Sequence, residues 1–292
     1  MLKNNKIMKY FRSHTIFFHI ISVILWLWTL ALAFLFVYGI VISLMDGFEY
    51  SLNPSGMKMQ FKFSNYIEAF KSIEYSVMGR TITFFKMFCN TIWYSAGVTI
   101  LRLVATALAA YCVAKVKFKG RLIIYYIVLF QMMLPTYGSE VSYMMWIRQL
   151  GMYDSPLYLL ANFAGHGSWF LLMYSCFKGV PDTYAESAKI DGANEFQVFF
   201  RVMLPFGKGI MVAMFIMLFM STWGDYATPL LYLPSYPTLS TGLFRYKTLA
   251  GYTLDIPIYF AGLLFTSIPV VVVFLIFHKT LMENMTLGGL KG

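Results

Sequence analysis

The chain has 292 residues, of which 59% are hydrophobic, 19% aromatic and 12% charged. Soluble domains carry about twice that share of charge, so there is too little polar surface to clothe a water-soluble globule, and the apolar content excludes intrinsic disorder. The net charge of +10 would suit a nucleic-acid binder only as one folded patch. Here the cations punctuate long apolar runs, which points to lipid and to membrane topology, with no nucleic acid as partner.

A hydrocarbon core about 30 Å thick calls for an apolar run of about 20 residues. Six runs answer: Ile20–Met45, Asn90–Ala114, Leu122–Ser139, Ser155–Phe177, Gly209–Leu233 and Ile256–Phe277. Arg102 interrupts the second and Asp225 the fifth; Glu140 follows the third, which continues apolar through Ile147. The fold class is therefore all-α, a polytopic membrane protein with six transmembrane helices. The first run is longer than a signal-peptide core and no small-residue cleavage site follows Met45, so it reads as a retained helix.

Six spans put both termini on one side. That side carries 14 Lys and Arg residues and the other 8, so both termini are expected to be cytoplasmic. The first outer loop, about Asp46–Phe88, holds the turn formers Asn53, Pro54, Ser55 and Gly56, and Phe63–Phe70 reads as a short amphipathic segment. The outer loop at about Pro234–Pro257 is too long for a hairpin, and loops of that kind are often functional. Pro135, Pro229 and Pro269 are candidate bending points within spans three, five and six.

Chemistry is not expected of this chain. Cys89, Cys112 and Cys176 form no CxxC pair and read as packed thiols, giving neither a disulfide framework nor a metal site. Of the four scattered histidines, only His166 falls inside a span. The patterns G-x-x-x-x-G-K-S/T, HExxH and GxSxG do not occur; any ATP hydrolysis must come from another polypeptide.

The fourth connection, Pro181–Pro205, is the informative one. Thr183 and Glu186 have the spacing of a capping box, Gly192 is a natural helix stop, and Asn194 with Gln197 opens a second short helix that Pro205 should end. Phe196, Phe199, Phe200 and Met203 fall at i, i+3, i+4 and i+7, an apolar stripe. The segment is a helix, a turn and a helix, either lying on the bilayer or docking a cytoplasmic partner.

Glu186-Ser187-Ala188, then Asp191-Gly192-Ala193, then Leu204-Pro205 resembles the EAA loop of ABC-importer permeases. Ala109-Ala-Tyr111 followed by Phe118-Lys-Gly120 is similar to the end of the second helix in the carbohydrate branch. Trp223-Gly-Asp225-Tyr226 resembles its fifth-helix signature, with Gly224 in place of Asn, and Gly288-Gly289-Leu-Lys291-Gly resembles the tail of the maltose-permease-second-subunit type. The resemblance covers nearly the whole chain. It implies a permease that forms half of the pathway of an ATP-driven sugar importer. Its partners would be a second permease, two ATPase subunits and an extracytoplasmic sugar-binding protein. ATP and Mg would be bound by the ATPase, with no cofactor in this chain. Glu186, Ser187, Ala188, Asp191, Gly192, Leu204 and Pro205 would couple to the ATPase, the tail Gly288, Gly289 and Lys291 would approach it, and the Pro234–Pro257 loop would reach toward the binding protein. The implied organisation is a cytoplasmic N-terminus (1–19), a first helix (20–45), an outer loop (46–88), a five-helix permease core (89–280) and a cytoplasmic tail (281–292), in a bacterial cytoplasmic membrane.

A charge within the bilayer costs several kcal/mol and needs a partner or water. At 1.5 Å per residue, Arg102 lies about 18 Å, Asp225 about 24 Å and Glu140 about 27 Å from the inner end of its span. Two readings stay open. Arg102 forms a structural ion pair with Asp225 or Glu140, or Asp225 with Trp223 and Tyr226 lines a sugar pathway, rings stacking on the sugar and the carboxylate accepting hydroxyl protons. The alternatives for the whole chain are a permease for a non-sugar substrate, an ion-coupled secondary transporter, which would call for coupling carboxylates and inverted repeats, and a membrane-embedded enzyme, which would need a convergent cluster.

Overall fold

A computed structural model describes residues 2–54, 61–134, 138–164, 167–251 and 254–287. Among them, four helices are long and apolar enough to cross a membrane: Phe17–Ser43, Phe84–Lys115, Glu195–Trp223 and Ile256–Lys279. They fall on the first, second, fifth and sixth apolar runs. The chain separates into two compact units, Met1–Ala69 with Tyr252–Phe265, and Phe70–Gly251 with Thr266–Gly292.

In the first unit, helix α1 (Leu2–Ser43) leaves its apolar side chains from Phe17 to Val37 exposed, as befits a surface that meets lipid or protein instead of water. The last carbonyls of a helix have no partner within it, and here a neighbouring segment supplies one. Asn65, 1% exposed on α3 (Ser64–Ser72), donates through Nδ2 to Ser43 O (2.9 Å) and Met45 O (2.7 Å). Lys62 pairs with Asp46 at 2.9 Å, and Asp46 Oδ1 caps the short α2 (Gly47–Leu52). The amphipathic Phe63–Phe70 segment is thus a helix. Ser55 and Gly56 lie outside the described residues, as do Pro135, Gly165, His166 and the Gly288–Lys291 tail.

The second unit opens with a feature the all-α reading missed. Strands β1 (Tyr75–Val77) and β2 (Arg80–Ile82) pair antiparallel, with Tyr75 opposite Ile82 and Val77 opposite Arg80. Met78 and Gly79, at φ +48° and +75°, form the turn. Two successive positive φ values match the right-handed twist of a hairpin. The chain is mostly helical, with one two-stranded ribbon among the described residues.

Helix α4 (Phe84–Lys115) is the hub of this unit. It packs against α5 (Arg121–Met133), α7 (Gly167–Gly179), α10 (Leu204–Trp223) and α12 (Leu239–Ala250). Thr91, Ser95, Thr99 and Thr106 are fully buried along one of its faces. Small residues let helices approach closely in a membrane bundle, and the Thr99 and Thr222 hydroxyls meet across α4 and α10 at 3.4 Å.

The third and fourth apolar runs are not single helices among the described residues. α5 has 13 residues, about 20 Å at 1.5 Å per residue, and α6 (Glu140–Gln149) follows as a separate piece. The fourth run starts as a 3-10 turn, Pro156–Asn162, whose first turn Ser155 caps, before α7. The fifth run also divides: α10 ends at Trp223, and a short α11 (Ala227–Tyr232) resumes after Gly224-Asp225-Tyr226. Asp225 Oδ1 accepts the Thr228 N–H at 3.0 Å. Pro229 therefore lies three residues into α11, beyond the break, while Pro269 sits inside the continuous α13 (Ile256–Leu287).

Candidate functional site

The 181–205 segment folds as a helix, a tight turn and a helix. α8 (Asp182–Ile190) carries Asp182 in its first turn and Lys189 in its last, each complementing the helix dipole. The expected Thr183–Glu186 capping box is not what opens it. Pro181 is the N-cap, with φ −57° and no side-chain bond, and it sets the start ahead of Thr183. Asp182 is held instead by Lys115 at the end of α4, whose Nζ donates to Asp182 Oδ1 and Val180 O.

The turn matches expectation. Gly192 has φ +85°. Gly192 N–H donates to Lys189 O at 3.0 Å and Ala193 N–H to Ala188 O at 2.9 Å, the paired bonds of a Schellman stop. Asn194 and Gln197 then form a reciprocal capping box, both bonds 2.9 Å, opening α9 (Glu195–Gln197).

Pro205 does not end this second helix. A π turn, Val198–Met203, joins α9 to α10, and the Leu204 N–H reaches back to Phe199 O. The i→i−5 spacing takes up an extra residue just where Pro205 has no N–H to give. It also moves the side-chain register, so the expected stripe divides. Val198, Phe199 and Met203 are at most 3% exposed, whereas Phe196 is 72% and Phe200 56% exposed.

Two faces result. Ala185, Ala188 and Ala193 pack against the core formed by Tyr111, Phe177 and Phe199; their short side chains let α8 lie close. Glu186, Ser187, Asp191 and Gly192 are exposed, and Ile190, 86% exposed, stands at the turn with Phe196. An acidic and apolar tip on a braced helical turn is suited to seating in another protein. Lys189 pairs with Glu195 across the turn, and Glu195 Oε2 accepts the Tyr111 hydroxyl at 3.1 Å. Tyr111, Lys115 and Glu195 were not singled out as site residues in the sequence, because what defines them is a contact between α4 and a loop more than 60 positions away.

Lys115 holds the Asp182 carboxyl below its ordinary value of 3.8. A depressed folded-state pKa stabilises this anchor fully above that ordinary value, and the contribution is lost as pH falls through the lowered one. Amide-exchange protection factors over 182–190, taken relative to the intrinsic rate at each pH, should therefore be flat from neutral pH down to about 4 and fall below it, and Asp182→Asn should show the lower protection already at neutral pH.

The intramembrane charges meet different partners from those expected. Arg102 Nη2 donates to Asn162 Oδ1 at 2.8 Å. Asp225 Oδ2 accepts the Tyr94 hydroxyl at 3.1 Å. Among the described residues no ion pair joins Arg102 to Asp225 or to Glu140; the exposed Glu140 begins α6, and its carbonyl accepts from Tyr232 OH at 3.4 Å. A neutral amide and a phenol do the work assigned to opposite charges. Trp223 is 3% exposed and its indole N–H donates to Thr266 O at 2.9 Å, so it serves packing. Tyr226 is 42% exposed and stacks on Phe244 with ring centroids 4.4 Å apart.

The α12 loop is fastened to α4. Asn90 Nδ2 donates to Pro237 O (3.0 Å), and Thr91 Oγ1 accepts from Leu239 N–H (2.9 Å). Thr238 caps α12 by accepting from Thr241 N–H.

Comparison with known proteins gives these features a context. The chain is 27% identical to the arabinooligosaccharides transport system permease protein AraQ of Bacillus subtilis (strain 168), over 96% of this chain and 99% of that protein. It is 25% identical to the diacetylchitobiose uptake system permease protein NgcG of Streptomyces coelicolor, over 90% and 85%. Its fold is similar to a chain in the crystal structure of a bacterial ABC transporter involved in the import of the acidic polysaccharide alginate, with a TM-score of 0.76 at 22% identity over 92% of this chain and 97% of that one. Residues 102–285, more than half of the chain, match the family model for the binding-protein-dependent transport system inner membrane component. The match takes in Arg102, the whole 181–205 element and α10 through most of α13, and the chain belongs to that family of inner-membrane transport permeases.

Proposed function

We propose that this chain is one permease subunit of an ATP-driven, binding-protein-dependent importer of oligosaccharides. It forms half of the translocation pathway with a second permease. Two ATPase subunits, which bind ATP and Mg, grip the 181–205 loop. A sugar-binding protein delivers substrate from outside, toward the Pro234–Pro257 loop. Six spans cross the bilayer, the third and fourth as two-piece elements, with both termini and the Gly288, Gly289 and Lys291 tail on the cytoplasmic side. In this reading the N-terminus is 1–19, the first helix 20–45, the outer loop 46–88, the permease core 89–280 and the tail 281–292.

The observation that carries the reading is the exposed, rigidly braced turn. Glu186, Ser187, Asp191 and Gly192 present outward while Ala188 and the π turn before Leu204-Pro205 anchor the element to the bundle. Closure of the ATPases would then move a preformed body, as rigid-body switching requires. The oligosaccharide class is supported by the relatives named for arabinooligosaccharides and diacetylchitobiose. Asp225 and Tyr226 remain the residues of this chain best suited to a sugar pathway, one a carboxylate, the other a partly exposed ring.

Uptake of radiolabelled pentose and hexose oligosaccharides by cells with and without the chain tests this. ATP-dependent accumulation of at least one oligosaccharide should vanish without it. Uptake in ATP-free vesicles driven by an ion gradient, or loss confined to a non-sugar solute, would contradict it.

A further inference from the structure

α4 is hydrogen-bonded at both ends to segments far away in sequence. At one end Tyr111 donates to Glu195 (3.1 Å) and Lys115, its side chain 8% exposed, to Val180 O and Asp182. At the other end Asn90 holds Pro237 O and Thr91 accepts from Leu239 N–H, at the start of α12. Thr91 gives its own proton to Met87 O at 2.8 Å, so its lone pair is committed to Leu239. Both ends lie on one unbroken 32-residue helix, and Asn90 and Lys115 stand about 38 Å apart along it at 1.5 Å per residue. It contains no proline and buries its Thr91–Thr106 face against its neighbours. Packed elements of this kind shift as bodies and do not deform continuously.

We propose that α4 is the lever that joins the 181–205 loop to α12, with Tyr111 and Thr91 as the positioning residues at its two ends. The inference rests on the ATPase-docking reading of the loop. When the ATPases move the loop, Glu195 and Asp182 draw the Tyr111–Lys115 end of α4, and the Asn90–Thr91 end carries the 237–241 segment with it. The same bonds run in reverse, so a protein seated on α12 would bias the loop by an equal amount.

The test uses the complex purified from its native membrane. A reporter, Leu249→Cys, is placed on α12, where the native side chain is 73% exposed, with Cys89, Cys112 and Cys176 replaced by serine. The rate of maleimide labelling is measured with and without Mg-ATP and vanadate. The nucleotide should change the rate in the reporter chain. Tyr111→Phe keeps the ring against Phe177 and Phe199 and removes only the hydroxyl; losing that one hydrogen bond should cut the nucleotide effect about fivefold. Thr91→Val, which removes the acceptor at similar volume, should do the same. Sites about 30 Å apart ordinarily act independently, which would make the double variant's loss about 25-fold; a shared lever makes it no larger than either single loss.

An independent product, an unaltered response in Tyr111→Phe, or a reporter indifferent to nucleotide would each overturn the lever. The ATPase recovered with the chain is quantified in the same samples. A fall in that amount for Tyr111→Phe would assign the residue to docking and overturn its transmitting role. An unsubstituted chain that carries no ATPase would refute the proposed function itself, and the lever with it.

Discussion

Gly192→Val should reduce ATP-dependent uptake about 30-fold, the equivalent of about 2 kcal/mol of backbone strain, while the chain stays inserted in the membrane. Gly192 sits at φ +85°, where an L residue with a branched β-carbon is a steric outlier. Apart from Gly192 itself and its two chain neighbours, no atom lies within 4 Å of the place a Cβ would take, so the cost is conformational and not a clash with a packed neighbour. That makes a graded series informative. Gly192→Asn should lose least, because Asn tolerates the left-handed region, Gly192→Ala more, and Gly192→Val most. The strain falls on the stop that sets the angle between α8 and α9, with Lys189 and Glu195 on either side. Uptake rates and the amount of ATPase recovered should follow the same order. A flat series would show that the angle of this turn does not matter to coupling.

Asn162→Leu should destabilise the chain by about 3 kcal/mol, in the range measured for stranding one partner of a buried charged pair. Arg102 donates to Asn162 Oδ1, and Asn162 is 5% exposed. Removing the amide leaves a guanidinium in the membrane region without its acceptor. The double variant Arg102→Leu with Asn162→Leu should recover most of the loss, because it removes both polar partners together. Asp225→Asn, by contrast, keeps one oxygen to accept the Thr228 N–H and puts an NH2 group that can donate to the Tyr94 oxygen where the second carboxylate oxygen stood; exchanging one hydrogen bond for another should cost about 1 kcal/mol. Thermal denaturation of the purified chain in detergent measures all three. A larger loss for Asp225→Asn than for Asn162→Leu would return Arg102 to the ion pair suggested by its depth.

What could be read in the sequence was local. The Gly192 stop and the Asn194–Gln197 cap depend on residues within five positions of one another, and both form as their spacing implies. The Thr183–Glu186 box has equally good spacing but yields to Pro181, whose fixed φ starts the helix earlier. The role of Pro205 was misread for a related reason. Proline ends a regular α-helix, but it is accommodated at the first positions of α10 because the preceding turn is a π turn.

Hydropathy found the long spans but not the breaks in the others. One polar residue such as Asn162 barely changes the average of an apolar run, yet it is the partner of Arg102, 60 positions away. The exposed tip at Ile190 is set by local geometry beside the Gly192 stop, whereas the anchors Tyr111 and Lys115 are visible only once α4 and α8 are packed.

Docking of an ATPase on the 181–205 turn is tested by tagging the chain, purifying it from its native membrane in mild detergent, and quantifying the proteins recovered with it. A second permease and an ATPase should be recovered, with the ATPase lost when the exposed Glu186 is replaced by lysine and Gly192 by valine while the chain and the second permease remain. A chain recovered alone that still drives uptake without ATP would contradict it.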